Sequence, residues 1–228
     1  YALVGILSWL LSRRTQFDIR HIHYATGYGM SAFFGSRANT ILSVWGSDVY
    51  EFPRRSSIHR WYLRKVLGRA ERICSTSEAM KNQVERLFRP SAPIRVTPFG
   101  IDTAKFKPAL LVDECFGVEG ARNFVVGTVK TLEPKYGIDV LIRAFCIFKQ
   151  NIERLGIGRK VELHIAGEGH QENDLRRLVN KLGLEDCVRF LGFLRHDDVP
   201  KVLNSFDVFA ALSREESFGV AAIEASAC

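Results

Sequence analysis

Phe124-Val-Val-Gly-Thr-Val129 and Val161-Glu-Leu-His-Ile-Ala166 are two short β-favouring runs separated by a stretch of helical length, and that alternation decides the fold. Largely apolar strands fit a sheet buried on both faces, which is the habit of parallel sheets. Parallel neighbours need a long crossover, usually a helix. Working outward, strands are expected at Val188–Leu191 and Phe206–Ala211, and in the first half at Phe17–Tyr24, Thr40–Trp45, Arg72–Ser75 and Ile94–Thr97. A loop-like interval from Phe99 to Gly120, which contains Pro108, parts the two blocks. The expected architecture is α/β, with two Rossmann-like, doubly wound parallel-sheet domains, both incomplete: residues 1–103, a linker 104–120, and residues 121–228. Such sheets bind ligands beyond the carboxyl ends of their strands, so functional residues are expected in the loops there and in a cleft between the domains.

The 228 residues are 46% hydrophobic, which supplies one large core or two modest ones and excludes both a disordered chain and a small disulfide scaffold. Five cysteines, at 74, 115, 146, 187 and 228, form no CxxC or Cys/His metal spacing. Their odd number suits the reduced thiols of a cytoplasmic protein. The apolar opening Tyr1–Leu11 is too short to span a bilayer, is closed by Arg13-Arg14, and is expected to be a packed helix. The first residue is Tyr1 and the last lies in an apparent helix, so both ends read as truncations. Residues 1–104 hold 15 Lys and Arg against 7 Asp and Glu, whereas residues 105–228 hold 17 against 18. The basic half implies an anionic partner: a membrane surface, a lipid phosphate or a nucleic acid.

Three common nucleotide and nucleophile signatures are missing: GxxxxGK[ST], GxSxG, and a complete GxGxxG with its acidic partner. Two glycine pairs, Gly27-Tyr-Gly29 and Gly167-Glu-Gly169, follow strands, where the missing side chain lets backbone come close to a ligand. Glu216-Ser-Phe-Gly219 follows the last strand and leads into a helix start that carries Glu224. Eight positions keep the two carboxylates apart but let both reach one extended ligand, with a phosphate-binding helix N-terminus between them. A nucleotide sugar has that length. Lys130 and Lys135 follow Phe124–Val129, where two cations can cradle a diphosphate whose charge grows as a glycosidic bond breaks.

The motifs His21-Ile-His23, Trp45-Gly-Ser-Asp48, Ser75-Thr-Ser-Glu78 and Pro98-Phe-Gly-Ile-Asp102 with Phe106 come first in the chain. Gly127-Thr-Val-Lys130 through Lys135-Tyr-Gly137, Gly167-Glu-Gly169, Phe190-Leu-Gly192 and Glu216–Glu224 follow. Over nearly the whole chain this order resembles the retaining, metal-independent nucleotide-sugar glycosyltransferases of the GT-B fold, family 4 or group 1. The resemblance implies a hexosyltransferase-type enzyme that moves a sugar from a nucleoside-diphosphate sugar to a hydroxyl acceptor, lipid-linked or saccharide, in polysaccharide, lipopolysaccharide or other glycoconjugate biosynthesis. It implies the nucleotide sugar as co-substrate, with no cofactor and no metal. Glu216, His23 and Lys130 are the implied catalytic residues, with Glu216 facing the donor sugar near its reacting carbon and His23 contacting that sugar. Donor contacts fall to Lys135, Gly167, Gly169, Leu194, Ser217, Phe218, Gly219 and Glu224, the last on the ribose hydroxyls and the Phe218 and Gly219 amides on the diphosphate. Gly27, Ser47 and Asp48 lie on the implied acceptor side, although Gly-Ser-Asp is also an ordinary turn. Most members carry Arg where this chain has Lys130, and Lys where it has Tyr136, which leaves open whether Lys135 or Tyr136 holds the second cation position.

Two other readings stand beside this one. A sugar-nucleotide epimerase or phosphorylase shares the build, though no cofactor lysine for a phosphorylase is found. A non-catalytic basic binding fragment is the other. The stretch Arg54-Arg55 through Arg69 interleaves cations with Trp61 and Tyr62 on a helix, with Ile58, Trp61, Tyr62 and Val66 expected on its packed side. It reads either as a solvated basic face or as a dock for anionic lipid at the inner face of the membrane. No nucleic-acid fold signature accompanies it, so no nucleic acid is expected. The chain by itself is expected to be inactive, because its last helix has little downstream support.

Overall fold

The computed structural model describes residues 17–34, 39–109 and 122–228, together with positions 3, 6, 7, 10 and 11. The chain divides into two compact units, Tyr1–Phe99 and Gly100–Cys228. Each holds a four-stranded sheet whose neighbouring strands all run parallel. The expected linker 104–120 is described only to residue 109, and the rest of it lies outside the described residues.

In the first unit, strands β1 (Arg20–His23), β2 (Thr40–Ser43), β3 (Arg72–Ser75) and β4 (Ile94–Val96) lie side by side in chain order. Helices α1 (Met30–Phe34), α2 (Ser47–Tyr50), α3 (Ser57–Leu67) and α4 (Glu78–Phe88) connect them. Ser56 and Ser77 start the two long helices, each side-chain oxygen accepting a backbone N–H of the first turn, from His59 and Met80 respectively. Leu63, Val66 and Leu67 of α3 and Met80 and Val84 of α4 pack with Ile22, Leu42 and Ile73 of the sheet. The expected strand Phe17–Tyr24 is shorter than its sequence suggests: residues 17–19 are exposed, and Tyr24 turns out with a left-handed φ of 77°. Of the opening segment, Leu3, Ile6, Leu7, Leu10 and Leu11 are helical but exposed, contrary to the packed helix expected; the remainder lies outside the described residues.

In the second unit, β5 (Phe124–Val129), β6 (Val161–Ala166), β7 (Val188–Gly192) and β8 (Val208–Phe209) stand in the order β7-β6-β5-β8. Helices α5 (Ile138–Arg154), α6 (Glu172–Lys181), α7 (Val199–Leu203) and α8 (Val220–Ala227) complete it. Ile138, Leu141, Ile142 and Phe145 of α5 and Leu175 and Val179 of α6 pack with Leu163, Ile165 and Val188. The chain walks outward from β5 to β7 and then returns to the opposite side of β5. That reversal is a topological switch point, and the crevice at the carboxyl ends of β5 and β8 is where such a sheet takes a ligand. β8 is two residues long rather than the six expected. The Phe206 N–H still closes the turn onto the Leu203 carbonyl, and the ring of Phe206 fills the space over Gly127, where a Cβ would lie 2.2 Å from it. Among the described residues no helix is long and apolar enough to cross a membrane.

Candidate functional site

Lys130 leaves the end of β5 and Glu216 lies in the loop after β8, so the switch point places them opposite one another. Lys130 Nζ meets Glu216 Oε2 at 2.6 Å, with the lysine side chain 14% exposed and the glutamate 33%. The Ser213 hydroxyl donates to the same oxygen at 3.1 Å, and the Ser217 N–H donates to Oε1 at 3.2 Å. Burial alone would raise the Glu216 carboxyl, but the Lys130 ammonium and these donors outweigh it and hold the group below the usual carboxylate range. The Tyr136 ring takes both cations: Lys130 Nζ lies 4.9 Å and Lys135 Nζ 5.2 Å from its centroid. Lys135 also pairs with Glu133 at 3.2 Å. Both ammoniums are therefore in cation–π contact with one aromatic ring.

The loop that carries this trio is braced from two sides. Gly137 starts α5 at a left-handed φ of 66°, and a Cβ there would stand 2.1 Å from the Leu212 carbonyl oxygen, so only glycine lets the two loops meet. Arg214 donates its backbone N–H to the Lys135 carbonyl at 2.7 Å and grips Asp139 with both terminal nitrogens, at 2.9 and 2.8 Å. From the other side, Gly167 has φ 128° and a would-be Cβ 2.0 Å from the Lys130 carbonyl oxygen, while one on Gly169 would fall 2.4 Å from that of Leu132. The glycine pair was expected to admit a ligand. The space a side chain would need at each glycine is taken by the loop Lys130–Leu132, which the pair locks through the bonds Lys130 N–H to Ala166 and Leu132 N–H to Glu168.

Glu224 lies on α8, which starts after Gly219 at φ 85° with no side chain capping its first turn. Its carboxylate, 13% exposed, faces His196 Nε2 at 3.5 Å and does not meet Glu216. Lys105 Nζ reaches His196 Nδ1 and Asp197 Oδ1, each at 2.7 Å, and so fixes the imidazole from behind. Leu194 packs against the cluster of Phe106, Val199 and Leu203, whereas Phe193 is 71% exposed and presents the free apolar surface of this loop.

In the first unit, His23 is exposed at the end of β1, 5.7 Å edge-on to Trp45 and 4.0 Å from the His21 ring. Burial first, and then the charge of His23, lower the His21 pKa, and His21 shares a 2.8 Å hydrogen bond with Ser43. Ser47 bonds the Tyr24 hydroxyl at 2.6 Å. Asp48 is not an open acceptor-side group: it is fully buried, and its carboxylate accepts the N–H groups of Ala25, Trp45 and Gly46 at 2.9, 3.0 and 2.8 Å. It staples the loop after β1 to the loop after β2. Burial pushes the Asp48 carboxyl up, and those three donors work against that shift. Gly27 lies in the turn into α1, its carbonyl accepting from Met30, while the position that demands glycine is Gly29, where a Cβ would sit 2.0 Å from the Ala25 oxygen.

Sequence reasoning missed Ser213, Arg214 and His196. Ser213 and Arg214 immediately precede the acidic pair that includes Glu216, which is a weak local signal. Nothing local announces Arg214 with Asp139 or His196 with Glu224, because both pairings depend on tertiary structure. Among the described residues, no three His, Cys, Asp or Glu gather in a way that could hold a metal ion.

Comparison with known proteins relates both units to glycosyltransferases. Residues 117–228 match the family described as glycosyl transferases group 1, and residues 10–77 match the glycosyl transferase 4-like family. N-acetyl-alpha-D-glucosaminyl L-malate synthase of Bacillus anthracis is 24% identical over 96% of this chain and 56% of its own length. D-inositol 3-phosphate glycosyltransferase of Salinispora arenicola is 30% identical over 72% of this chain and 39% of its own. The chain thus spans about half the length of the curated relatives it matches. Sucrose-phosphate synthase of Thermosynechococcus elongatus superposes with a TM-score of 0.74 at 21% identity, over 99% of this chain and 57% of that one. Anabaena HepE, solved with UDP and glucose, gives 0.72 at 22% identity, over 99% and 60%. Two parallel-sheet units on the GT-B pattern, each matched in part by a glycosyltransferase family, support a place for the chain among the group 1, GT4-like glycosyltransferases.

Proposed function

We propose that this chain carries the donor site and part of the acceptor side of a retaining glycosyltransferase that uses a nucleoside-diphosphate sugar. The observation that carries the reading is the Lys130–Glu216 pair across the β5/β8 switch point, with the uncapped start of α8 immediately beyond it. Lys130 and Lys135 would neutralise the diphosphate as the bond to the sugar breaks, aided by the backbone N–H groups at the start of α8, without recourse to a metal. Glu216, released from Lys130 by the incoming phosphate, would turn to the donor sugar, and Glu224 would take the ribose hydroxyls. UDP is the first nucleotide to try, because HepE was solved with it. The acceptor is a hydroxyl of a saccharide or lipid-linked glycan. A cytoplasmic site of action fits the free thiols of Cys74, Cys146, Cys187 and Cys228.

The test is sugar transfer from UDP-, GDP- and ADP-sugars by the full-length protein that contains this chain, in the presence and absence of EDTA. Loss of turnover in Glu216→Ala and Lys130→Ala is the expected result. Unchanged turnover in both would overturn the site, conversion of the sugar nucleotide without any acceptor would assign an epimerase instead, and an inverted product would remove the retaining step.

A further inference from the structure

The face of α3 contradicts the packing its sequence suggested. Ile58 and Trp61 were expected on the packed side with Val66, yet Ile58 is 74% and Trp61 52% exposed, while Val66 is buried. On a helical wheel, Arg64, Trp61, Lys65 and Ile58 occupy one continuous outer arc. Lys65 Nζ lies 5.9 Å from the Trp61 ring, and Arg55 stands over Phe52 at 5.8 Å. Phe33 of α1 contacts Trp61 at 6.0 Å, and the neighbouring Phe34 is 47% exposed, so the apolar surface continues onto a second element. From Phe52 to Ala70 the chain has six Lys and Arg and no Asp or Glu. A soluble face gains nothing by leaving a tryptophan and an isoleucine in water beside Arg64 and Lys65.

We propose that this face docks the first unit on an anionic lipid bilayer, Trp61 and Ile58 entering the headgroup and acyl boundary while Arg60, Arg64 and Lys65 pair with lipid phosphates. Amphipathic burial and charge act together in such binding: the aromatic ring suits the interface, and each cation near a negatively charged leaflet adds its own increment. A nucleic acid would satisfy the arginines but would leave Ile58 in water, which favours lipid. Docking at this face needs no transfer activity, so it stands or falls independently of the proposed reaction. It would hold the protein where lipid-linked hydroxyls are concentrated.

The experiment is co-sedimentation of the full chain with vesicles of mixed phosphatidylglycerol and phosphatidylcholine, against phosphatidylcholine alone. Binding is expected only to the anionic vesicles and should weaken as salt rises. Arg60→Gln with Arg64→Gln should lose roughly 30-fold in affinity, about 5-fold per cation removed. Trp61→Ser should lose about 10-fold, with the charge unchanged. Arg177→Gln, on the exposed surface of the second unit, should change nothing. All four positions are exposed, and melting curves matching the parent would show that the variants remain folded. Equal binding to both vesicle types, binding to neither, no loss in the variants, or tighter binding to duplex DNA than to vesicles would each overturn the proposal.

Discussion

Glu216→Gln and Lys130→Met should move UDP binding in opposite directions, although they break the same ion pair. The pair closes at 2.6 Å with the lysine side chain 14% exposed, between the fully wet and fully buried cases. Wet pairs are worth at most about 1 kcal/mol, and breaking a buried one costs about 3–5 kcal/mol. Under the proposed function, a diphosphate would have to win Lys130 away from this carboxylate and then sit near a negative charge. Replacing Glu216 by glutamine removes both costs, so UDP without its sugar should bind about 3- to 10-fold more tightly, which corresponds to about 1 kcal/mol. Lys130→Met removes a charge-assisted contact of about 1.5–3 kcal/mol, so binding should weaken roughly 10- to 150-fold. Calorimetric titration of the chain with UDP at neutral pH measures both, and the difference between the variants should widen at low salt. If Glu216→Gln weakens UDP as much as Lys130→Met does, the carboxylate contacts the nucleotide directly and the competition between Glu216 and phosphate is wrong.

The same pair should shape stability against pH. Both Glu216 and Asp139 have folded-state values below those of free carboxyls, the first despite its burial and the second chiefly through its hydrogen bonds from Arg214. Their contribution is therefore complete above the free-carboxyl range of about 4–4.5 and is lost as pH falls through the lower folded values; melting curves across that window should flatten in Glu216→Gln. Tyr136→Phe keeps the ring that carries both ammoniums and should bind UDP within about 2-fold of the parent, whereas Tyr136→Leu should lose roughly 5- to 30-fold, at about 0.5–1 kcal/mol for each of the two cations. A drop of both variants alike in the same calorimetric assay would point to the hydroxyl instead. Asp48→Ala leaves three buried N–H groups without their acceptor and should cost roughly 3 kcal/mol or more, a fall in melting temperature on the order of 10 °C; an unchanged melt would mean that the staple between the two loops is idle.

These contrasts also mark how far the sequence carries. β3, β5 and β6 stand where their residues place them, because strands flanked by partners must be apolar on both faces and end at a turn. β8 does not, because an edge strand with one neighbour is held by few bonds and its apolar residues serve other contacts, as Phe206 does over Gly127. Lys130, Glu216 and Glu224 could each be picked out by type and by position after a strand. Their pairing could not, since the 2.6 Å contact exists only because β8 returns to β5 rather than extending the sheet beyond β7. Asp48 shows the limit from the other side. Gly-Ser-Asp is the same local pattern whether the carboxylate faces a substrate or the backbone, and the deciding donor is the N–H of Ala25 on a different loop. For α3 the period was legible and the face was not: Val66 and Trp61 differ by five positions, so they lie on different sides of the helix, and an isoleucine and a tryptophan counted as core by their hydropathy are the residues that meet solvent. Apolar character shows that a side chain seeks burial, and only the fold shows whether the partner that buries it belongs to the same chain.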